Sequence, residues 1–381
     1  MRITKAEARR FLVGRHGLDR FRERTSLDEV ARSDGALQYD PIDVVGPNLD
    51  LLLHARVAEY AVGAFQERVN EGSGYFEAYH NKKTTFRPGE QYGELTRIRG
   101  LVYQQEAEAL QQKYRHYWND IVQRATVEEL CSSDIDRGER IDGHWGKPAS
   151  LSRTVLDAMV QSGVLVVARR TGGKKYCTVP GRVYPKEWLS DPFKSDDECF
   201  RRCIERWVHH AGLATRRQAE AALKPTVKGS KRYLVDELVD TGRLVVVEVK
   251  ETDVALLVHK NHVWMFDADF CPDGNYRLLP PLDSLLVDRD LIQMIFDFSY
   301  VWEVYKRRTD RQYGYYVLPV LYRDRLVGRV ELARTEGTVT VVAQWAEQEQ
   351  SMSDRKLQLA LRRLAAFLGR GGGAGDAGRV R

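Results

Sequence analysis

The chain has 381 residues, which allows two to four domains at roughly 100 to 200 residues each. Hydrophobic residues make up 43% and charged residues 30%, and this composition excludes wholesale disorder. The net charge of +5 is compatible with a polyanionic partner but small for this length, so the placement of the cations matters more than their total. No run of about 18 apolar residues occurs and the first residues are charged throughout, so we expect neither a membrane span nor a secretory signal, and a cytoplasmic location. Five scattered cysteines agree with a reducing compartment rather than a disulfide framework.

A helix, a glycine and a strand follow one another near the N-terminus, in TSLDEVARSDGALQYD. The same order recurs more clearly in VLDAMVQSGVLVVARR from Val155 and in LVDELVDTGRLVVVEV from Leu234. In each of these two copies an apolar helical stretch stops at a glycine, Gly163 or Gly242, and an apolar strand turns back as a β-hairpin. TVEELCSS before the first copy, and ECFRRCIERWVHHAG and TRRQAEAAL before the second, read as preceding helices. Helices followed by a hairpin are typical of winged-helix DNA-binding units, although this order also occurs in many other α/β proteins.

From about Asn275 the pattern changes to strands. YGYYVLPVLYRDRLVGRVEL predicts two strands joined at Arg323-Asp324, and TVTVVAQW predicts a third. The glycine-rich residues after Gly369 predict a flexible tail. The expected domains are 1–118, 119–192, 193–272, 273–368 and the tail 369–381.

Gln38 and Asp40 stand at the strand that follows the N-terminal helix. Because side chains alternate along an extended backbone, both should project from one face, with Tyr39 on the other. An amide and a carboxylate would then meet at one place, where the carboxylate can accept a proton from water. The alternative is a plain turn, since Asp40-Pro41 is a common turn start.

Two segments resemble the winged-helix DNA glycosylases of the AlkZ/YcaQ type: LQYDPIDVVGPNLDLLLHARV from Leu37, and FDFSYVWEVYKRRTDRQYGYYVLPVLYRDRLVGRVEL from Phe296. The resemblance implies an α+β protein with tandem winged-helix units followed by a C-terminal β-barrel-like domain. It implies a monofunctional enzyme that removes alkylated, cationic purines such as 7-alkylguanine from double-stranded DNA and unhooks interstrand crosslinks. Gln38 and Asp40 match the two positions of the family's catalytic motif in its Gln-x-Asp form, and Arg56 matches the arginine that closes the next helix.

Gly46-Pro47-Asn48 and FEAYHNK, from Phe76, depart from the family's pattern. His80 cannot be equated with the family histidine there without a one-residue shift, and this bears on substrate preference. No lysine lies beside the motif, so no Schiff base is expected.

Basic residues suggest three places for DNA phosphates. Besides Arg56, the candidates are Arg169, Arg170, Lys174 and Lys175 in the first hairpin; Lys228, Lys231 and Arg232 before the later helix; and Arg307, Arg308 and Arg311 among tyrosines that read mainly as core. Solvated surface lysines are the alternative for the hairpin.

Cys199 and Cys203, followed by His209-His210, invite a zinc interpretation, but their spacing favours buried helical cysteines, and no metal or cofactor is expected. The rival functions are a winged-helix transcriptional regulator and a silent damage-sensing protein. Three DNA-binding units in one chain would make a monomer sufficient.

Overall fold

The computed structural model describes residues 1–19, 26–72, 74–80, 83–142, 148–224, 229–348 and 350–370. The protein is a mixed α+β molecule. Its helices are α1 (Lys5–Arg15), α2 (Leu27–Asp34), α3 (Asn48–His54), α4 (Ala64–Asn70), α5 (Thr96–Lys113), α6 (Arg115–Ala125), α7 (Leu151–Ser162), α8 (Pro180–Val183), α9 (Lys186–Leu189), α10 (Asp196–Ala211), α11 (Arg216–Ala221), α12 (Arg232–Asp240), α13 (Arg289–Phe296) and α14 (Asp354–Arg370). Its strands are β1 (Arg2–Ile3), β2 (Leu37–Tyr39), β3 (Tyr75–His80), β4 (Lys83–Pro88), β5 (Arg140–Asp142), β6 (Pro148–Ser150), β7 (Val166–Thr171), β8 (Lys174–Thr178), β9 (Leu213–Thr215), β10 (Leu244–Val249), β11 (Ala255–His259), β12 (Tyr276–Leu278), β13 (Val317–Tyr322), β14 (Arg325–Thr335) and β15 (Thr338–Ala346).

The described residues form two compact units. The first unit takes in 1–64, 201–222 and 230–370, and the second is built on 65–200. The first unit is thus discontinuous in sequence, and its N-terminal, middle and C-terminal segments share one core.

The second unit contains the first copy of the helix, glycine and hairpin pattern. α7 ends at Gly163, whose φ of 83° is in the left-handed region that glycine adopts without steric cost. β7 and β8 then pair antiparallel as far as Thr171 opposite Lys174. Val155 and Met159 of α7 pack in a core with Trp118 of α6. The predicted helix and hairpin are therefore confirmed here.

The helix predicted for TVEELCSS is wrong. α6 ends at Ala125, and Leu130 instead exchanges two backbone hydrogen bonds with Cys177 of β8, at 2.9 and 2.8 Å. The Leu130 side chain is buried against the hairpin. An extended backbone at Leu130 therefore places this side chain in the core and also satisfies backbone hydrogen-bonding groups at the edge of β8.

The first unit contains the second copy. α10 and α11 form as predicted, and α11 begins with a capping box between Thr215 and Gln218. α12 is followed by Gly242, with φ of 70°, and by the β10–β11 hairpin. The hairpin belongs to a four-stranded sheet in the order β1-β10-β11-β9, in which β1 runs parallel to β10. The sequence pattern does not predict this pairing of the chain's first residues.

The C-terminal strands form an open antiparallel sheet in the order β12-β13-β14-β15. The strands expected on either side of Arg323-Asp324, and the third strand, are confirmed as β13, β14 and β15. The expected barrel is corrected, because among the described residues no closed barrel is found.

α14 covers strands at both edges of this sheet and was not predicted. Its leucines at positions 357, 361, 364 and 368 have helical spacing and are all buried. Gly369, where we expected the tail to begin, still lies in α14, and residues 371–381 lie outside the described residues.

Candidate active site and DNA-contact residues

The strand that bears the Gln-x-Asp motif is placed by the helix before it. In α2, Ser26 and Glu29 form a capping box, with Ser26 accepting from the backbone N–H of Glu29 at 3.1 Å. The helix ends at Gly35, whose φ is 63°. A Cβ at this position would lie 1.9 Å from Nε2 of His210, so both the backbone conformation and the close approach of α10 require glycine.

Gln38, Tyr39 and Asp40 are all half-buried at the end of β2. The Oδ1 atom of Asp40 accepts a hydrogen bond from the backbone N–H of Ile42 at 2.9 Å, which makes an Asx turn. Burial raises the pKa of the Asp40 carboxyl above its ordinary value, against the lowering effect of the Ile42 N–H. The alternative prediction of a turn at Asp40 is therefore correct for the backbone. The carboxyl group of Asp40 in this turn nevertheless has an increased proton affinity.

The loop after the motif lies beside the C-terminal helix. Asp43 and Pro47 form a β-bridge, and Gly46 packs so closely on Leu368 of α14 that a Cβ would lie 2.7 Å from its side chain. Arg334 of β14 donates to the carbonyl of the same Leu368 at 3.4 Å. Gly46 of this loop, Arg334 of β14 and the end of α14 thus meet at Leu368.

Arg56 does not lie where it could contact DNA. Its side chain is 1% exposed and makes a bidentate ion pair with Asp283, at 2.7 and 2.8 Å. Its Nε atom donates to the carbonyl of His16 at 2.8 Å. The predicted DNA contact is thus corrected to a buried structural ion pair.

A second buried polar contact holds the same segments together. Asp34, at the end of α2, accepts a short hydrogen bond from Ser284 and has Nδ1 of His16 3.8 Å from its Oδ1. Burial would raise the pKa of Asp34, but His16, the charge of Arg56 and the Ser284 hydroxyl lower it below the ordinary value. Asp34 is therefore an ionised group inside the core.

The β7–β8 hairpin presents fewer unpaired cationic side chains to solvent than its sequence suggests. Arg170 is paired with Glu77 through two hydrogen bonds of 2.6 and 2.8 Å, and only 9% of its side chain is exposed. Arg169 pairs with Glu129 at 2.6 Å, and Lys175 with Asp157 at 3.1 Å. Lys174 is exposed, with Nζ 3.4 Å from the Ser133 hydroxyl, and it is the member of this group most available to a phosphate.

The remaining basic candidates are mostly on the surface. Lys228 lies outside the described residues. Lys231 is half-buried, with Nζ 5.5 Å from the ring centre of Tyr233, while the Arg232 side chain is 70% exposed. Arg307 and Arg308 are exposed, and Arg311 donates to the carbonyl of Lys306 at 3.0 Å.

Two further sequence features are located by the structure. Cys199 is buried and Cys203 half-buried on α10. Within the ranges that the structure describes, no three His, Cys, Asp or Glu side chains are grouped so as to hold a metal ion. In the segment FEAYHNK, which departs from the family's pattern, residues 76–80 lie in β3. The side chain of His80 is not among the parts of the chain that the structure describes. None of the described helices is both long and apolar enough to cross a membrane.

A carboxyl group of raised pKa at the Gln-x-Asp motif, together with cations exposed on a hairpin and loops, is typical of an enzyme that acts on nucleic acid. The chain belongs to the family described as DNA glycosylase AlkZ-like, whose model matches residues 31–367, and is thus a hydrolase of N-glycosyl bonds. Membership disfavours the regulator and silent-sensor alternatives.

Among solved structures, the chain is similar to the Streptomyces sahachiroi DNA glycosylase AlkZ. The two chains are 16% identical, the match covers 97% of this chain and 98% of that chain, and the TM-score is 0.65. The similarity shows a shared fold over nearly the whole length.

Proposed function

We propose that this DNA glycosylase excises cationic alkylated purines, such as 7-alkylguanine, from double-stranded DNA and unhooks crosslinks joined through such bases, acting as a monomer. Asp40 activates the attacking water and Gln38 positions it. The observation that carries the proposal is the state of Asp40 within a chain of this family: the carboxyl group is half-buried and its pKa is raised.

A cationic alkylated base needs little assistance from the enzyme in order to leave. Alkylation at N7 puts a positive charge on guanine, so the base departs neutral and the charge passes to the sugar. An anion fixed beside that oxocarbenium-like centre stabilises the transition state more than the ground state. The same carboxylate can take a proton from the water that attacks the sugar carbon.

The raised pKa makes Asp40 a better base than a solvent-exposed aspartate. Partial burial destabilises its charged form, so the carboxylate gains more by accepting a proton or by facing a cation. The Asx turn with Ile42 meanwhile fixes one carboxylate oxygen and leaves lone pairs of the other for water.

We further propose that the helix, glycine and hairpin segments act as winged-helix units on DNA. In the first, Lys174 at the tip of the β7–β8 hairpin would contact a phosphate, while the ion pairs of Arg169, Arg170 and Lys175 keep the hairpin in position. Arg232, Arg307 and Arg308 supply further exposed cations.

The test is excision from a duplex that contains 7-methylguanine, followed as release of the free base and formation of alkali-labile abasic sites. Asp40→Asn keeps an oxygen that can accept from the Ile42 N–H but removes the base. We expect the single-turnover rate to fall on the order of a hundredfold or more, with duplex binding retained.

Asp43→Asn is the matched control, because it removes a carboxylate from the same loop and should leave excision unchanged. An undiminished rate for Asp40→Asn would remove Asp40 from the mechanism. If the wild-type protein returned the methylated duplex intact, the proposed substrate would be wrong.

A further inference from the structure

Tyr305, in the loop between α13 and β13, holds its aromatic ring in solvent. The residue is 83% exposed. Its ring meets that of Trp302 edge to face, with the ring centres 6.1 Å apart and the planes at 64°. Most of the Tyr305 ring is therefore open to a partner. Because single exposed apolar side chains are common, the surroundings of the ring decide whether it has a role.

Other tyrosines of the same loop have their rings covered. The ring of Tyr313 packs edge to face on that of Trp345, with the centres 5.3 Å apart. Tyr315 has the guanidinium of Arg311 4.7 Å from its ring centre, a cation–π contact. Tyr305 differs from both in offering an open aromatic face.

The loop that carries Tyr305 is fixed by a buried carboxylate. Glu303 is 4% exposed and accepts from the backbone N–H groups of Gln312 and Tyr313, at 3.0 and 2.8 Å, and from Nζ of Lys306 at 2.8 Å. Although burial opposes it, these hydrogen bonds lower the pKa of Glu303 to about 2, so the group stays ionised at neutral pH. The exposed ring of Tyr305 is thus preorganised, and less entropy is lost when it binds.

Positive charge surrounds the ring. Lys306, Arg307, Arg308 and Arg311 follow Tyr305, and Asp310 is the one carboxylate among them. The side chain of Arg307 is 86% exposed and pairs with Asp310 at 2.9 Å, and Arg308 is exposed as well. A solvent-exposed ion pair is weak, so Arg307 can exchange Asp310 for a phosphate. An open aromatic ring among cations is typical of surfaces that bind unstacked nucleic acid.

We propose that Tyr305 stacks on an unpaired base of the DNA, while Arg307 and Arg308 bind the phosphates beside that base. This role rests on the proposed function, because excision of a base leaves an abasic site whose opposite base has lost its pairing partner. In an intact duplex the neighbouring base pairs cover both faces of every base, so the ring would first have to separate them. The abasic product and single-stranded DNA are therefore the ligands that this loop fits.

The experiment compares three DNA ligands of one sequence: an intact duplex, the same duplex with a tetrahydrofuran abasic-site analogue, and the single strand. Tyr305→Ala should bind the abasic duplex and the single strand about tenfold more weakly, because one base–aromatic stack is lost. Its affinity for the intact duplex should not change, nor should its thermal midpoint, since the side chain is exposed. Tyr305→Phe keeps the ring and should bind all three ligands as the wild type does.

Two further variants separate stacking from other effects. Trp264 is 65% exposed but is followed by exposed Asp267 and Asp269, which repel phosphates, so Trp264→Ala should change none of the three affinities. Arg308→Ala should weaken binding to all three ligands and reduce the slope of log K against log salt by about 1. Tyr305→Ala, which removes no charge, should leave that slope unchanged.

A wild-type affinity of Tyr305→Ala for the abasic duplex would overturn the stacking role. Equal losses on the abasic and intact duplexes, a lowered thermal midpoint, or a loss in Tyr305→Phe as large as that in Tyr305→Ala would overturn it too. None of these measurements needs excision. If the wild type left 7-methylguanine in place while Tyr305→Ala still lost affinity for the abasic duplex, the proposed substrate would be wrong and the stacking role would stand.

Discussion

Arg56 and Asp283 face each other as a planar, doubly hydrogen-bonded ion pair that is closed to solvent, with 1% and 0% of their side chains exposed. Arg56 follows α3, directly after the motif loop, and Asp283 lies in the turn before α13. The pair therefore joins two segments that are more than half the chain apart in sequence. Its excellent geometry offsets part of the cost of desolvating two charges.

Removal of one partner from this pair should be strongly destabilising. In Asp283→Ala the guanidinium of Arg56 is left buried without a counter-charge, and we expect a loss of about 3 to 5 kcal/mol in the free energy of unfolding. Urea denaturation measures the loss. Arg217→Ala, which breaks a solvent-exposed pair with Asp290, is the control and should cost less than about 1 kcal/mol. Equal losses for the two variants would contradict the structural role of Arg56.

Three histidines, of which His259 is buried and His209 and His262 are half-buried, form a cluster that predicts sensitivity to acid. His209 lies with its ring centre 4.2 Å from that of His262 and 4.9 Å from that of His259, and Nε2 of His259 is 3.2 Å from Glu205. Burial and the positive charge of Arg15 lower the pKa of His209 to about 4 and that of His262 to about 2. The folded protein thus keeps the rings of His209 and His262 neutral, whereas the unfolded chain protonates them near pH 6.5.

Stability should therefore fall as the pH drops from about 7 toward 4. In this range the unfolded chain binds more protons than the folded chain, and each such histidine contributes about 1.4 kcal/mol per pH unit. The measurement is the urea midpoint at pH 7.5 and at pH 5. Replacing His262 with Phe should flatten the dependence, and replacing the exposed His116 of α6 should not. A midpoint that does not change with pH would show that His209 and His262 are not neutral in the folded state.

Two cationic side chains of the β7–β8 hairpin should have different roles: Lys174 should contact DNA, and Arg170 should stabilise the fold. Lys174→Ala should weaken duplex binding and reduce the slope of log K against log salt by about 1, because one exposed cation near phosphate is lost. Arg170→Ala should mainly lower the thermal midpoint, since it leaves Glu77 without its buried partner. Binding titrations at several salt concentrations, with thermal melts, distinguish the two. An unchanged salt slope for Lys174→Ala would exclude this hairpin tip as a DNA contact.

The sequence predicts well those elements whose causes are local. The helices and hairpins of the two clear copies follow from apolar spacing and from glycines at left-handed positions, and both act within a few residues. The strands around Arg323-Asp324 follow in the same way. TVEELCSS is an exception. Its sequence has a helical pattern, but the segment is not helical because Leu130 forms a β-bridge with a strand much later in the chain.

By itself, then, the sequence determined the helices and hairpins, the family resemblance and the position of the Gln-x-Asp motif. Only the tertiary structure decided that Arg56 and Arg170 are ion-paired, and that the C-terminal sheet is open and covered by α14. The reason is physical: a charge or a sheet edge takes its role from the groups that folding brings beside it, and those groups are distant in sequence.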